Sequence, residues 1–148
     1  MPQAATNRLK YMLAAGTLGT PTAADIRMGL LTVFAGVTNV PDINFIADME
    51  SHADFAEATS GAISGYARVA LTNETATESD ASDWALWDCD DVAFGALDAG
   101  GTIVGWFVYR EGASDAAREV LAIGSLTSTP TNGSTFTVTT ASGLFQIT

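Results

Sequence analysis

The chain has 148 residues, which is the size of one domain and enough to bury about two thirds of the unfolded surface in a single core. Hydrophobic residues make up 47% and charged residues 16%, a composition tilted toward β structure. Six basic residues face 17 acidic ones, for a net charge of -11. Because no Lys/Arg cluster with interleaved aromatic residues reverses that sign, nucleic acid is an unfavourable partner.

The cysteine count and the N-terminus indicate the compartment. Cys89 is the only cysteine, so no internal disulfide can form, and the Cys/His spacing of a zinc site is missing. The apolar patch YMLAAG is too short for a signal-peptide core, and no later run is long enough to span a membrane. We expect a soluble protein, made in a cytoplasm without processing and with no membrane partner.

Residues 1–23 are predicted to form an N-terminal arm. The turn-rich stretch GTLGTP follows an arm whose anchors are Leu9, Tyr11, Met12 and Leu13. Arms of this kind pack on neighbouring subunits, so these four residues are candidate interface residues. The rest of the chain, 24–148, is predicted to be one β-sandwich domain.

The first half of that domain carries one strand and one helical segment. In 24–34 the apolar residues alternate, which favours a strand, with a helix starting at Thr22 or Asp25 as the alternative. Residues 41–58 place apolar side chains at near-helical spacing after Pro-Asp and predict one helix or two short pieces. The sequence TSGAISG at 59–65 is interpreted as a flexible linker.

From Tyr66 onward the pattern is almost entirely that of β-strands. Residues 72–82 are interpreted as a polar loop with a short edge strand as an option, and the other runs are separated by Gly-, Asp- and Asn-containing turns. The predicted strands are YARVALT, WALWDCD, VAFGAL, TIVGWFVYRE, REVLAIGSL, STFTVTT and LFQIT. The fold class is therefore mainly all-β, an antiparallel sandwich or barrel with one short helical segment and an N-terminal arm.

The longest apolar run, TIVGWFVY at 102–109, is hydrophobic on both faces. Such a strand lies either in the centre of a sheet or with its outward face against another chain. The second alternative makes Trp106, Phe107 and Tyr109 candidate interface residues.

The stretch DWALWDCDDVAFGALD at 83–98 crowds acids around Cys89. As a strand followed by a turn, it uses its aspartates to accept backbone N–H bonds, as Asx-turns do. The alternative is a calcium site built from Asp83, Asp88, Asp90 and Asp91. The EF-hand spacing is not met, because Val92 stands where an acid or amide is required and no Glu closes the loop. Turn chemistry is the prediction, with no metal.

Catalytic patterns are weak. Cys89 reads as a buried thiol, and His52, between Glu50 and Asp54, reads as a solvated or capping residue rather than a base. The nucleophile turn G-x-S-x-G of a Ser-His-Asp enzyme is missing, and Gly100-Gly101 precedes no helix that could bind phosphate. Carboxylate pairs for glycoside hydrolysis are formally available. We predict a protein that is not an enzyme and uses no cofactor.

The order of segments resembles a family of small tailed-bacteriophage structural proteins, over residues 24–148. The closest parts are GYARVALT, the D-x-DDV-x-F turn at 88–94, and the paired endings TFTVTT and GLFQI. The resemblance implies a virion component, made in the host cytoplasm and bound to other virion proteins.

Two positions in a particle compete. A capsid decoration (cement) protein would bury its arm and part of 102–109 against the shell or sister copies. A neck or tail component, such as an adaptor, fibre base or minor tail protein, would use loops 72–82 and 110–118 as contact tips toward a host surface. Because the chain is compact and acidic and lacks a repetitive stalk, we favour head decoration and expect a homo-oligomer.

Overall fold

The structure is a computed structural model that describes residues 3–16, 25–79, 84–140 and 144–147. The strands in these ranges are β1 (Gln3–Ala5), β2 (Ile26–Phe34), β3 (Phe55–Glu57), β4 (Val69–Ala70), β5 (Thr75–Ser79), β6 (Trp84–Asp88), β7 (Val92–Ala96), β8 (Thr102–Arg110), β9 (Glu119–Pro130), β10 (Thr135–Val138) and β11 (Phe145–Ile147). The helices are α1 (Asn7–Ala14), a 3-10 helix (Val40–Asp42) and α2 (Ile46–Ser51).

The central element is a six-stranded sheet in the order β1-β9-β8-β2-β3, with β4 also paired to β2. Two smaller sheets, β10-β7 and β11-β6-β5, accompany it. Every strand pairing is antiparallel. The prediction of a mainly β, antiparallel fold is confirmed, and among the described strands the large sheet is open rather than closed into a barrel.

The N-terminal segment is an integral part of this sheet, not a separate arm, over residues 3–16. Strand β1 pairs with β9, and the Thr6 N–H donates to the Leu121 carbonyl at 3.0 Å. The buried Thr6 hydroxyl caps α1 by accepting from the Leu9 N–H at 3.1 Å and donates to the Val120 carbonyl at 2.6 Å. Residues 1–2 and 17–23 of the predicted arm lie outside the described residues.

One face of the large sheet packs against the two small sheets. Their shared core contains Trp106 from β8, with Leu9 and Met12 from α1 beside it. The small sheets contribute Phe94 from β7 and the partly buried Trp87 from β6. This arrangement is the sandwich that the strand pattern predicts.

The opposite face of the large sheet is covered by the excursion between β2 and β3. Phe107 and Tyr109 of β8 face the excursion, together with the fully buried side chains of Ile46 and Met49 from α2. Asp48 caps this helix by accepting from the Phe45 N–H at 3.0 Å. Strand β8 is therefore central and buried on both faces within its own chain, which is the first of the two alternatives for the run 102–109.

Glycines opposite the aromatic residues make both faces close-packed. In the register of the sheet, Gly124 lies beside Trp106 and Gly29 lies beside Phe107. A Cβ atom at Gly124 would collide with the indole ring, and one at Gly29 would collide with the phenyl ring. Each ring thus lies over a position that only glycine can occupy without a shift.

Several sequence expectations are confirmed and others are corrected. Residues Ile26–Phe34 form a strand, not a helix, and Thr75–Ser79 form the edge strand suggested for 72–82. The helical segment 41–58 divides into the two short pieces, and Phe55 starts a strand instead. The linker 59–65 is a run of hydrogen-bonded turns with Ile63 buried, because that side chain completes the core.

Only Val69 and Ala70 of YARVALT form a strand. Tyr66 instead uses its side-chain hydroxyl to bind β2 and Glu57. Strands β3 and β4 pair with different halves of β2 and leave a gap opposite Leu30. The Tyr66 hydroxyl accepts from the Leu30 N–H in this gap at 3.1 Å and donates to Glu57 at 2.6 Å. The side chain replaces a missing strand partner, which a pattern of alternation does not reveal.

Candidate functional site

Helix α1 carries two large exposed apolar side chains. Tyr11 is 60% exposed and Leu13 is 43% exposed, whereas Leu9 and Met12 on the inward face are buried. The Arg8 guanidinium lies 5.4 Å from the Tyr11 ring centroid and also pairs with the buried Glu119. Helix α1 therefore presents Tyr11 and Leu13 on different sides of a backbone that is fixed to the sheet.

The other predicted interface residues are not available to a partner in this structure. Leu9, Met12, Trp106, Phe107 and Tyr109 are all buried among residues of their own chain. The interpretation of these five as interface residues is corrected, because the excursion and the small sheets already cover the apolar faces that the sequence left unassigned.

A network of ion pairs rims the face of the sheet under α2. We call it the Arg68 network; its members are Arg27, Glu50, Glu57, Arg68, Glu111, Asp115 and Arg118. The Arg68 guanidinium makes two hydrogen bonds to Glu57, at 2.7 and 2.5 Å, and one to Asp115 at 2.6 Å. Its plane also lies over the rings of Phe107 and Tyr109, so the network closes one edge of the core.

The loop after β8 belongs to this network. Arg118 donates to Glu111 at 2.6 Å and to Asp115 at 2.8 Å, and Asp115 is shared with Arg68. The backbone of the same loop binds α2, since the Ala47 N–H donates to the Asp115 carbonyl. Its charged side chains are thus engaged within the chain instead of forming a contact tip.

The pKa values of two carboxyl groups in the network, Asp115 and Glu50, are shifted in opposite directions. Burial raises the pKa of Asp115, but hydrogen bonds from Arg68 and Arg118 outweigh burial and leave it below its ordinary value. Burial also raises the pKa of Glu50, and the charges of Asp115 and Glu57 raise it further. Burial and the neighbouring Glu57 raise the pKa of Tyr66, which remains a hydrogen-bond donor.

The aspartates of the β6–β7 turn accept hydrogen bonds from the chain. Asp91 accepts from the Thr140 N–H at 2.9 Å, and Asp90 accepts from the Asn73 amide at 2.6 Å. Asp88 accepts from the next backbone N–H at 2.9 Å. The aspartates therefore accept hydrogen bonds as predicted, but only the bond of Asp88 is local, since the partners of Asp90 and Asp91 lie 17 and 49 residues away along the chain. Asp83 lies outside the described residues. Within the described ranges, no group of three His, Cys, Asp or Glu side chains could hold a metal ion.

The cysteine and the histidine have structural surroundings. Burial, with the charges of Asp88 and Glu74, raises the pKa of Cys89 to about 12, so its thiol is protonated near neutral pH. His52 ends α2, and its Nδ1 accepts from the Asp54 N–H at 3.3 Å. Both observations agree with the capping and buried-thiol interpretations.

A groove with a volume of about 370 Å³ lies between β9 and β10. We call it the threonine groove; its lining residues are Leu126, Thr127, Thr129, Thr135, Phe136, Thr137 and Thr139. Leu126 and Phe136 pack partly against the core, whereas the threonines are exposed. The strand pattern predicts β9 and β10 but does not reveal the groove between them. The signal was the absence of charge in two neighbouring strands.

Comparisons with known proteins add no family. A scan against protein-family models, a search of curated proteins and a search of solved structures each found no match to the chain. Of the helices in the ranges described above, none has the length and hydropathy needed to cross a bilayer.

Proposed function

We propose that this chain is a non-enzymatic structural protein of a tailed-bacteriophage particle, and that it decorates the head. The virion part of the proposal rests on the sequence resemblance over 24–148. The observation that carries the binding role is the exposure of two large apolar side chains, Tyr11 and Leu13, on α1. Exposed large apolar side chains held on a rigid element are the usual anchors of a protein interface.

The way α1 is held supports a preformed docking surface. Its inward face is buried, its N-terminus is capped by Thr6, and Arg8 joins it to Glu119. A partner would therefore meet Tyr11 and Leu13 without first ordering the helix, which lowers the entropic cost of binding. The partner is the capsid shell or a sister copy that covers the same helix.

Localisation and copy number test the proposal. Purified particles are labelled with antibody to this protein and viewed by electron microscopy, and its amount is compared with that of the major shell protein on a quantitative gel. Label over the head at high copy supports decoration. Label confined to the neck or tail at low copy would assign the protein there instead, and particles without the protein would refute a virion role.

A double surface variant tests whether α1 is the element that docks on the particle. Tyr11→Ser with Leu13→Ser should lower the copy number on particles without changing the melting temperature of the isolated protein. Val33→Ser is the matched control, because Val33 is also 43% exposed but lies on β2. Equal loss for both variants, or no loss for either, would show that α1 is not the docking element.

A further inference from the structure

The two strands that border the threonine groove each have an edge without a strand partner in the described part of the chain. Strand β1 pairs with β9 only as far as Gly124, and from Leu126 to Pro130 the pairing of β9 is with β8 alone. Strand β10 pairs with β7 alone. A free edge presents backbone N–H and C=O groups in the spacing that another extended chain can bind.

These edges carry no charged side chains, although the register of β10 with β7 shifts between Thr135 and Thr137 and that of β8 with β9 shifts between Ile103 and Gly105. Proteins commonly place charged side chains or a bulge at an exposed edge. Here the residues LTST of β9 and TFTV of β10 contain no charge, and threonine favours extended backbone. Leu126 and Phe136 provide an apolar floor, since both pack partly on the core.

The charge of the chain segments that contain β7, β9 and β10 selects the occupant. No Lys or Arg occurs in 69–109 or in 119–148. The first of these segments contains eight acids, Glu74, Glu78, Asp80, Asp83, Asp88, Asp90, Asp91 and Asp98. Two of them flank β7, the strand that pairs with β10: Asp91 accepts from the Thr140 N–H after β10, and the backbone carbonyl of Asp98 accepts from the Thr131 hydroxyl before it.

We infer that the threonine groove binds an extended, basic segment of another protein, which adds as a strand to the free edge of β10. Main-chain hydrogen bonds supply the pairing, and basic residues at both ends of the segment meet Asp91 and Asp98. A second copy of this chain is the less favourable occupant, because it carries the same net charge of -11. The inference does not depend on the virion proposal or on the surface of α1.

Two labelled peptides test the inference with the full chain. The basic probe is Lys-Thr-Val-Thr-Val-Thr-Lys with blocked ends, and the acidic probe has Glu in place of both Lys. Binding is followed by fluorescence anisotropy at low ionic strength. We expect the basic probe to bind at least about tenfold more tightly than the acidic one, because the flanking charges are complementary. Hydrogen exchange should then slow at the amides of residues 135–138.

Neighbouring positions on β9 give a matched pair of variants. Thr129 lines the groove, whereas Ser128 is equally exposed on the same strand and does not line it. Thr129→Lys should weaken binding of the basic probe by about tenfold and Ser128→Lys by less than about threefold, since only the first puts a like charge in the groove. Circular dichroism confirms that both variants are folded.

Other results would overturn the inference. They are failure of the basic probe to bind, equal binding of the two probes, or equal effects of Thr129→Lys and Ser128→Lys. Concentration-dependent self-association of the chain alone, with slowed exchange at 135–138, would show that a second copy occupies the groove. None of these results would alter the copy number of the protein on particles, so the two proposals fail separately.

Discussion

The rim of the central sheet under α2 is made of ion pairs, whereas the small sheets on the other side carry acids without bases. Arg27, Arg68 and Arg118 are all engaged in the Arg68 network. The segment 69–109 contributes eight acids and no base. Opposite charges are thus paired on one side, whereas the acids on the other side have no basic residue in their own segment. The two apolar faces between these rims are equally well buried.

The largest expected effects come from the aromatic residues of β8. Trp106→Ala and Phe107→Ala open cavities on opposite faces of the same strand, and each should lower the free energy of unfolding by about 3 to 5 kcal/mol. Urea denaturation of the isolated protein measures the loss. Similar losses would establish that both faces are core; a small loss for either variant would mean that its face depends on a partner chain.

Replacement of Arg68, the central cation of the Arg68 network, should have the next largest effect. Arg68→Met leaves Glu57 and Asp115 without their shared cation and should cost about 3 kcal/mol, because breaking a partly buried pair leaves uncompensated charge. Glu57→Gln added to Arg68→Met should restore part of the loss. If the double variant is no more stable than Arg68→Met, the contact with Phe107 and Tyr109 matters more than charge.

The acidic turn should contribute less. Asp91→Ala removes the acceptor for the Thr140 N–H and should cost about 1 to 2 kcal/mol, while Asp90→Ala, at an exposed site, should cost less. Thermal melting with and without calcium is the measurement. A calcium-dependent rise in melting temperature that disappears when both aspartates are replaced would show that the turn is a metal site after all.

The smallest effects are expected at two carboxyl groups of the Arg68 network, Asp115 and Glu50. Their replacement should change the free energy of unfolding at pH 7 in opposite directions. The pKa of Asp115 is lowered, so its contribution is present above the ordinary value of about 3.9 and is lost as pH falls through its folded pKa. Asp115→Asn should therefore cost about 1 kcal/mol at pH 7, after allowance for solvent screening, and nothing near pH 2.

Glu50 should behave in the opposite way. Its pKa is raised, so its contribution is complete below the ordinary value of about 4.3 and is lost as pH rises through its folded pKa. Because the side chain is well exposed, Glu50→Gln should stabilise the protein by less than about 0.5 kcal/mol at pH 7. Urea denaturation at several pH values checks both carboxyl groups, and the same sign for both would contradict the assigned network.

Local pattern was enough for most of the strands. Alternation over 24–34, the turn residues between later strands, and the two-faced run 102–109 predict β2 and β6 to β11 because these signals depend on near neighbours. The role of the turn aspartates as acceptors was also predictable, but their partners Asn73 and Thr140 were not, because these lie 17 and 49 residues away along the chain. Helix α1 was missed because the segment is short and its capping residue, Thr6, was not recognised.

The sequence by itself determined an acidic, antiparallel β protein whose turn aspartates accept hydrogen bonds. Tertiary structure alone decided which apolar residues are core and which remain exposed. Leu9 and Tyr11 look alike in a hydrophobicity pattern, yet one is buried and the other is not. The same holds for Arg68 and Glu57, which are 11 residues apart in the chain and meet over Phe107. Burial and ion pairing depend on contacts between distant segments, and composition does not specify those contacts.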